Sequence, residues 1–463
     1  MECDVAVLGG GPAGYTAAIR AAQLGGKVVC IEREPEVGGT CLRVGCIPTK
    51  AWVQTAHALH DARETFAKLG VGVSEPELDF SQAAAWKDGV VKQMTGGVAS
   101  LLKANGVEWV KGTGRFTSPT TIAVEGADGV TFKSAIVATG SYPMRPPIPG
   151  LDSPRCVDST GLLSQTEVPR RLVVLGGGII GCEFASIFER FGSEVTIIEM
   201  LPTLIPQEDA DAVKELQKAF KKRGIAMQLE KQCTGVEDKG EHLVVQYGDG
   251  ESVKADLMLV SVGRAPLVQG LGLDEIGVPT DPRAGIATDD HMRTAIPTIF
   301  AAGDVAGRWQ LAHTAFREGE IAAENAMGHD SALGTPAVPR PIYTDPEIAG
   351  VGLTEAQARE QYGEAVAVGS FPWVANARAV MSGTTSGWVK SIHETTYGEL
   401  LGLVIVGPHA TDLIEAGVVA IDSESTVETV ADGIAPHPTL SEAIKEAGLV
   451  ALGRPIHLPP KRR

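Results

Sequence analysis

Two stretches of the chain, far apart in sequence, repeat the same order of apolar and polar positions. Residues 4–32, DVAVLGGGPAGYTAAIRAAQLGGKVVCIE, begin with an apolar run, pass through three glycines into a longer amphipathic segment, and end in a second apolar run. Residues 171–199, RLVVLGGGIIGCEFASIFERFGSEVTIIE, follow the same order. Short apolar runs bounded by glycine are typical of buried strands, and the segment between them has the length of a helix. Each stretch therefore predicts a strand, a helix and a second, parallel strand.

Each repeat carries the spacing G-x-G-x-x-G at the turn between its first strand and its helix. The first glycine of such a turn allows a tight bend, the second lets a pyrophosphate approach the backbone, and the third lets the helix pack close to the strand. The helix N-terminus then offers free N–H groups to phosphates. An acid ends each repeat, where it can bind the ribose hydroxyls of adenosine. The sequence therefore predicts two dinucleotide sites, formed by Gly9, Gly11, Gly14 and Glu32 and by Gly176, Gly178, Gly181 and Glu199.

The remaining pattern predicts how these units are arranged along the chain. Residues 135–143, AIVATGSYP, and 257–266, LMLVSVGRAP, are apolar runs that end in G-x-x-P, and each is expected to close the sheet of its own half. A strand at 298–304 and a helix over 311–328 look like closing elements of the first half, although they follow the second. We therefore expect a split first domain at 1–145 and 269–339, a second domain at 146–268, and an α+β domain at 340–463.

Composition narrows the class of protein. The chain has 463 residues and 44% hydrophobic positions, which is enough for two to four domains with their own cores. A net charge of −17 disfavours binding to nucleic acids or anionic membranes. No apolar run reaches the length of a membrane-spanning helix, and the N-terminus MECDVAVLGG shows no signal peptide. We therefore expect a cytoplasmic protein.

Two of the seven cysteines, Cys41 and Cys46, lie close together in GGTCLRVGCIPTK, residues 38–50. In a regular helix this spacing separates the Cα atoms by roughly 8–9 Å, and a disulfide spans less than about 7 Å, so bridging requires a distortion that Gly45 and Pro48 permit. Such a small loop would stabilise the fold little as a structural disulfide. A zinc site would need a second pair of ligands nearby, so no metal is expected. We favour a redox-active pair over these two alternatives.

A redox-active dithiol needs an electron acceptor within reach. The pair follows shortly after Glu32, so it should lie beside the dinucleotide that the first repeat binds. A flavin accepts electrons from a thiolate more readily than a nicotinamide does, which favours FAD in the first site and a nicotinamide dinucleotide in the second. Glu199 suits a free 2′-hydroxyl, and the residues after it, MLPTLIPQ, contain no arginine for a 2′-phosphate. NAD is therefore expected rather than NADP.

With these motifs the chain resembles the flavin-dependent pyridine-nucleotide disulfide oxidoreductases, and within that family the branch that oxidises protein-bound dihydrolipoyl groups. The resemblance runs nearly end to end, through GGTCLRVGCIPTK, ATGS, GGGIIGCEFAS, VGRAP, AAGDV, LAHTAFREG, YTDPEIAGVG and HPTLSEA. It implies an α/β fold with two Rossmann-like dinucleotide-binding domains, one for FAD and one for NAD, plus a C-terminal α+β dimerisation domain. Arg43 stands where the family usually has Asn, and the sequence leaves its role open.

The resemblance also implies roles for individual residues. Cys41 is the interchange thiol that forms a mixed disulfide with the substrate, and Cys46 is the thiolate that lies against the flavin. Lys50 is placed near flavin N5, with Glu183 as its ion-pair partner. Further FAD contacts are implied for Thr40, Gly114, Thr139, Gly140, Ser141 and Asp304 and for the helix start at Leu311, Ala312 and His313, and further NAD contacts for Ile179 and Gly263.

In the same family a histidine acts as the base, and here it corresponds to His437 in HPTLSEA. Glu442 is implied to fix its tautomer and raise its basicity. A structural alternative exists for the glutamate, because Thr439 and Glu442 have the spacing of a capping box that would begin the last helix. The family histidine reaches the cysteine pair of the other subunit, so the resemblance implies a homodimer with shared active sites.

The implied activity is NAD-dependent oxidation of dihydrolipoyl groups carried by a lipoylated acyltransferase or H-protein. The alternative within the family is an FAD-dependent reductase of another low-molecular-weight disulfide. Mercuric reductases need a C-terminal cysteine pair, whereas the last cysteine here is Cys233, and the related transhydrogenases lack the redox cysteines. An alternative from another class is a subunit that serves chiefly to bind within a large assembly.

Overall fold

The computed structural model describes residues 1–335 and 337–459. Its first part forms a mixed sheet with the strand order β3-β2-β1-β6-β5-β4. Strands β3, β2, β1 and β6 pair in parallel, whereas β5 and β4 pair antiparallel beyond β6. These strands are β1 (Glu2–Leu8), β2 (Val28–Glu32), β3 (Glu108–Lys111), β4 (Gly114–Ser118), β5 (Thr121–Val124), β6 (Val130–Val137) and the separate β7 (Ser141–Pro143). The helices are α1 (Pro12–Gln23), α2 (Gly39–Val44), α3 (Cys46–His60) and α4 (Phe80–Ala104). The strand order reverses between β1 and β6, which is where such sheets bind nucleotides.

A second parallel sheet, in the order β11-β10-β9-β15-β8, repeats this arrangement. A three-stranded antiparallel sheet of β12, β13 and β14 follows it, and β16 pairs with β7 of the first part. The strands are β8 (Cys156–Val157), β9 (Arg171–Leu175), β10 (Glu194–Ile198), β11 (Ala226–Gln228), β12 (Cys233–Asp238), β13 (Leu243–Tyr247), β14 (Glu251–Ala255), β15 (Leu257–Val260) and β16 (Arg264–Pro266). The helices are α5 (Ser159–Leu163), α6 (Ile179–Phe191) and α7 (Ala210–Lys222).

The chain then returns to the first sheet. Strand β17 (Ile299–Ala301) pairs in parallel with β6, and helix α8 (Ala312–Ala326) packs against α1. The two helices lie very close, because a Cβ added at Gly319 would sit 2.4 Å from the carbonyl oxygen of Ala13. The second sheet is thus inserted in the sequence between strands of the first.

The C-terminal part is an antiparallel sheet in the order β18-β19-β22-β21-β20, covered by short helices. The strands are β18 (Arg340–Ile342), β19 (Ile348–Gly352), β20 (Val366–Pro372), β21 (Trp388–Glu394) and β22 (Leu400–Val406). The helices are α9 (Glu355–Tyr362), α10 (Ala377–Ser382), α11 (Ala410–Leu413), α12 (Glu415–Asp422), α13 (Val427–Asp432) and α14 (Glu442–Ala451). Residues 411–423 do not form one continuous helix, because α11 ends at Leu413 and α12 begins at Glu415.

One hydrophobic core extends across all three parts of the fold. It contains Trp52 of α3, Phe188 and Phe191 of α6, and residues of β18 and β22. The indole of Trp52 meets the two phenylalanine rings edge to face, at centroid distances of 5.8 and 6.1 Å. Such contacts add about 0.5–1.5 kcal/mol per pair to the burial of the rings themselves. No helix in the described residues is long and apolar enough to cross a membrane.

Candidate active site

The first glycine loop lies between β1 and α1. Gly9 has a φ of +109°, and a Cβ at Gly14 would fall 1.8 Å from the Gly9 carbonyl oxygen, so neither position accommodates a side chain. Gly11 is the N-cap of α1, and no described side chain caps its first N–H groups. Glu32 is buried and accepts hydrogen bonds from the backbone N–H groups of Gly10, at 2.7 Å, and Glu34, at 3.0 Å. Glu32, which is expected to bind ribose, therefore also fixes the glycine loop through hydrogen bonds.

The second glycine loop, between β9 and α6, repeats these features. Gly176 has a φ of +102°, and a Cβ at Gly181 would lie 2.1 Å from the Gly176 carbonyl oxygen. A Cβ at Gly178, by contrast, would meet no described atom within 4 Å. Glu199 accepts hydrogen bonds from the N–H groups of Gly177, at 2.6 Å, and Leu201, at 2.7 Å. Each loop thus leaves a free helix N-terminus beside a buried carboxylate, the donor set that a dinucleotide requires.

Both loops open onto one cavity of about 1970 Å³, well above the usual range for a single small-molecule site. The predicted residues that line it are Gly9, Gly11, Glu32, Thr40, Cys41, Cys46, Lys50, Gly114, Thr139, Gly140, Ser141, Gly176, Gly178, Ile179, Glu183, Glu199, Gly263, Asp304, Leu311, Ala312 and His313. Gly14 and Gly181, the third glycines, are outside the lining because they serve helix packing. His437 and Glu442 are also outside it.

The cysteine loop approaches the first glycine loop closely. Gly39 has a φ of +58°, and a Cβ there would lie 2.6 Å from the Cα atom of Gly11. Helix α2 ends at Gly45, where a Cβ would come within 2.8 Å of the Thr40 carbonyl oxygen, and α3 begins immediately afterwards. The expected distortion between the cysteines is therefore at Gly45. Pro48 lies in the first turn of α3, where its missing N–H costs no helical hydrogen bond.

All seven cysteines are free thiols in the part of the chain that the structure covers. A hydrogen bond between the side chains of Cys41 and Cys46 raises the pKa of Cys41, as does burial, and lowers the pKa of Cys46. The positive charge of Lys50, one turn further along α3, also lowers the pKa of Cys46. Of the two thiols, Cys46 therefore gives up its proton more readily than Cys41.

Lys50 connects the first half of the chain to the second. Its Nζ donates to both carboxylate oxygens of Glu183 on α6, at 2.9 and 2.7 Å, and lies 4.5 Å above the centre of the Tyr343 ring. Glu183 also accepts the Tyr343 N–H at 3.0 Å. Burial alone would lower the pKa of Lys50, but the adjacent carboxylate outweighs burial and raises it. Lys50 therefore stays charged beside the thiolate.

Asp304 lies three residues after the end of β17, where it accepts a hydrogen bond from the Ser141 hydroxyl at 2.5 Å. Burial raises the pKa of Asp304, while Ser141 and Arg264 act in the opposite direction. Arg264 donates to the Ser141 hydroxyl at 2.8 Å and to its carbonyl oxygen at 2.7 Å. Sequence reasoning missed Arg264, although it stands within the quoted motif VGRAP. Its role becomes visible only when β7 and β16 pair.

Helix α8 points its N-terminus at the same cavity. Leu311 is the N-cap, and no side chain of the described residues bonds to the exposed N–H groups there. The His313 side chain lies with Nε2 2.9 Å from the Pro339 carbonyl oxygen, and burial lowers the pKa of its imidazole. The helix dipole therefore presents partial positive charge to whatever occupies this end of the cavity.

His437 lies near the C-terminus with Nδ1 2.9 Å from Glu442. Glu442 also accepts the Thr439 N–H at 2.8 Å, and this bond helps to hold its pKa below the usual value although burial opposes it. Only half of the capping box suggested by the sequence forms among the described residues: Glu442 accepts the Thr439 N–H, whereas the Thr439 hydroxyl donates to the Pro436 carbonyl oxygen and α14 begins at Glu442. The side chain of His437 is 72% exposed and is not part of the lining of the cavity that Cys41 and Cys46 share.

The chain matches a known protein family over most of its length. The family model "Pyridine nucleotide-disulphide oxidoreductase" matches residues 3–319, and the dimerisation domain of the same family matches 338–448. The chain is similar to dihydrolipoyl dehydrogenases of Thermus scotoductus, with 44% identity over 98% of both chains, and of Geobacillus stearothermophilus, with 41% identity over all of this chain and 98% of the relative. A crystal structure of LpdA from Mycobacterium tuberculosis superposes with a TM-score of 0.90 at 29% identity, covering 96% of this chain and 99% of that one. The chain belongs to the pyridine nucleotide-disulphide oxidoreductase family.

Proposed function

We propose that the protein is an NAD-dependent dihydrolipoyl dehydrogenase, which oxidises dihydrolipoyl groups attached to a partner protein. One observation carries the proposal: the asymmetric thiol pair Cys41–Cys46 lines the same cavity as two complete dinucleotide loops. A protein that served only as a binding subunit would not need two hydrogen-bonded thiols with oppositely shifted pKa values beside a nucleotide site. The 44% identity to a dihydrolipoyl dehydrogenase supports this activity over reduction of another disulfide.

FAD is the cofactor for the first loop and NAD for the second. When bound, FAD accepts an electron pair from a thiolate and passes it on to NAD⁺. Glu32 and the N-terminus of α1 would hold the adenosine and pyrophosphate of FAD, and Asp304 its ribityl chain. Glu199 and the N-terminus of α6 would hold NAD. These groups fit the residues present, because each loop leaves unbonded N–H groups beside a buried carboxylate.

The chain's own residues account for the thiol chemistry. In the oxidised pair, His437 takes a proton from one substrate thiol, and the resulting thiolate attacks the sulfur of Cys41, breaks the Cys41–Cys46 bond and releases Cys46 as a thiolate. The second substrate thiol attacks the mixed disulfide at the substrate sulfur, its proton passes to Cys41, and lipoyl disulfide leaves with Cys41 reduced. Two electrons have then passed to the thiol pair. The charge on Cys46 is stabilised by Lys50, and Glu442 orients His437 and stabilises its protonated form.

The protein is a homodimer, as the matched dimerisation domain indicates. We place His437 of each subunit at the cysteine pair of the other, which accounts for its exposure in the single chain. The partner would be a lipoylated acyltransferase or H-protein. We place the enzyme in the cytoplasm, whose reducing conditions suit the five other cysteines, all buried free thiols. The domain boundaries at 1–145, 146–268, 269–339 and 340–463 belong to the same proposal.

Steady-state turnover tests the proposal directly. The purified protein should carry bound FAD and should oxidise NADH with lipoamide as the acceptor. Cys41→Ser should keep FAD and lose lipoamide reduction, because the mixed disulfide cannot form. Bound FAD without lipoamide turnover in the wild type would disprove the activity, and retained turnover in Cys41→Ser would disprove the assignment of the thiol.

A further inference from the structure

We propose that Arg43 is an additional FAD-site residue, which neutralises Glu34 and ties the thiol-bearing helix α2 to the adenosine end of the cofactor site. This inference rests on the proposed binding of FAD by the first glycine loop. The Nη2 atom of Arg43 lies 3.0 Å from the Glu34 carboxylate, and both residues line the cavity. The Arg43 side chain is 19% exposed, so the pair is shielded from bulk solvent on one side.

The pair is connected to the acid expected to bind ribose. The backbone N–H of Glu34 donates to the Glu32 carboxylate at 3.0 Å, so both acids lie at the end of β2. FAD carries negative charge on its pyrophosphate, and an unpaired carboxylate beside Glu32 would repel it. Arg43 supplies the compensating charge from the opposite side, on α2. Arg33 is also within 3.4 Å of Glu34, but its side chain is 54% exposed and lies on the same strand end.

The same ion pair helps to fix α2. This helix has six residues, too few to be stable alone, and its N-cap Gly38 offers no side chain. Its contacts with the first glycine loop are the Gly38 N–H donating to the Gly10 carbonyl oxygen at 2.8 Å and the close approach of Gly39 to Gly11. Arg43 adds an anchor two residues after Cys41. The position of the Cys41 sulfur therefore depends on contact with the adenosine end of the site.

A role for Arg43 in tuning the thiols fits less well. The cation that lowers the pKa of Cys46 is Lys50. Arg43 instead points its charge at Glu34. Its replacement should therefore weaken FAD binding without changing the ionisation of the thiol pair.

The experiment measures FAD dissociation from the holoenzyme by the gain in flavin fluorescence on dilution, together with the pH dependence of thiol alkylation after reduction. Arg43→Asn should raise the FAD dissociation constant about tenfold, because Glu34 loses the closer and less exposed of its two cationic partners. Adding Glu34→Gln to Arg43→Asn should restore most of the affinity. Arg317→Asn, which removes a half-exposed arginine paired with Glu320 outside the cavity lining, is the control and should change affinity by less than about twofold. Arg43→Lys keeps the charge and should lie between wild type and Arg43→Asn.

The outcomes separate this inference from the proposed function. A wild-type protein without FAD would remove the proposed function itself. With FAD bound in the wild type, unchanged affinity in Arg43→Asn would overturn only the role of Arg43. Failure of Glu34→Gln to rescue Arg43→Asn would overturn charge neutralisation, and a shifted alkylation profile with unchanged FAD affinity would assign Arg43 to the thiols instead.

Discussion

Adding a single methyl group at two positions of the second glycine loop should give two different defects. Gly178→Ala should weaken NAD binding and leave the fold intact, whereas Gly181→Ala should destabilise the fold. The two glycines lie three residues apart in the same loop. The difference arises because the Cβ at 178 has open space around it, while the Cβ at 181 meets the backbone of Gly176.

The distances set the size of each effect. At Gly181 the new Cβ would lie 2.1 Å from the Gly176 carbonyl oxygen and 2.9 Å from the Ser261 hydroxyl, so α6 must move away from the loop by about 1 Å to reach a normal contact. Overpacking of this kind costs about 1–3 kcal/mol of folding free energy. At Gly178 the methyl group instead occupies the space into which a pyrophosphate would approach. A misfit of about 1–3 kcal/mol there corresponds to roughly a tenfold to hundredfold higher KM for NAD⁺.

The assay combines steady-state kinetics with thermal unfolding of the FAD-bound enzyme. Gly178→Ala should raise the KM for NAD⁺ while the KM for dihydrolipoamide and the melting temperature stay at their wild-type values. Gly181→Ala should lower the melting temperature. An unchanged KM for NAD⁺ in Gly178→Ala, or an equal rise for both substrates, would refute the assignment of this loop to NAD.

Three further changes have defined expected outcomes. Glu442→Gln should lower kcat by about a hundredfold, because His437 loses the carboxylate that orients it. The control is Glu446→Gln, one turn later in α14, which removes the carboxylate bonded to His457 and should change kcat by less than about threefold. Lys50→Met should move the alkylation profile of Cys46 to higher pH, since a cation that lowers its pKa is removed. Burial raises the pKa of Glu318 to about 7 from its ordinary 4.5, so the native state holds a proton that the unfolded chain releases, and stability should fall as pH rises across that range. Glu318→Gln should flatten this slope in melting temperature against pH.

The parts of the site that sequence predicts well are those encoded by local spacing. Two glycine loops with terminal acids fix backbone conformations that other residues cannot adopt, and the structure places Glu32 and Glu199 equivalently. The break between the two cysteines follows from Gly45 for the same reason. Each of these features depends on residues within one strand–helix–strand repeat or within the cysteine loop.

The parts that sequence could not supply depend on contacts between distant segments. Arg264 reaches Ser141 because β7 and β16 pair. The break in the segment 411–423 accompanies a contact from outside it, since the Glu347 carboxylate accepts both the N–H and the hydroxyl of Thr411 in α11. The Thr439 hydroxyl donates to the Pro436 carbonyl oxygen, and α14 begins only at Glu442. Periodicity carries no information about partners of this kind.

The core that joins Trp52 of α3 to Phe188 and Phe191 of α6 limits how the protein can change in evolution. The helix that starts with Cys46 buries its apolar face against the half that carries the second glycine loop, so the two halves share one hydrophobic interior. Excising that half would expose the indole of Trp52, because Phe188 and Phe191 would be lost with it. An exchange for the equivalent part of a relative must supply matching apolar side chains at these two positions, whereas substitutions around Gly178 and Glu199 leave the shared core intact.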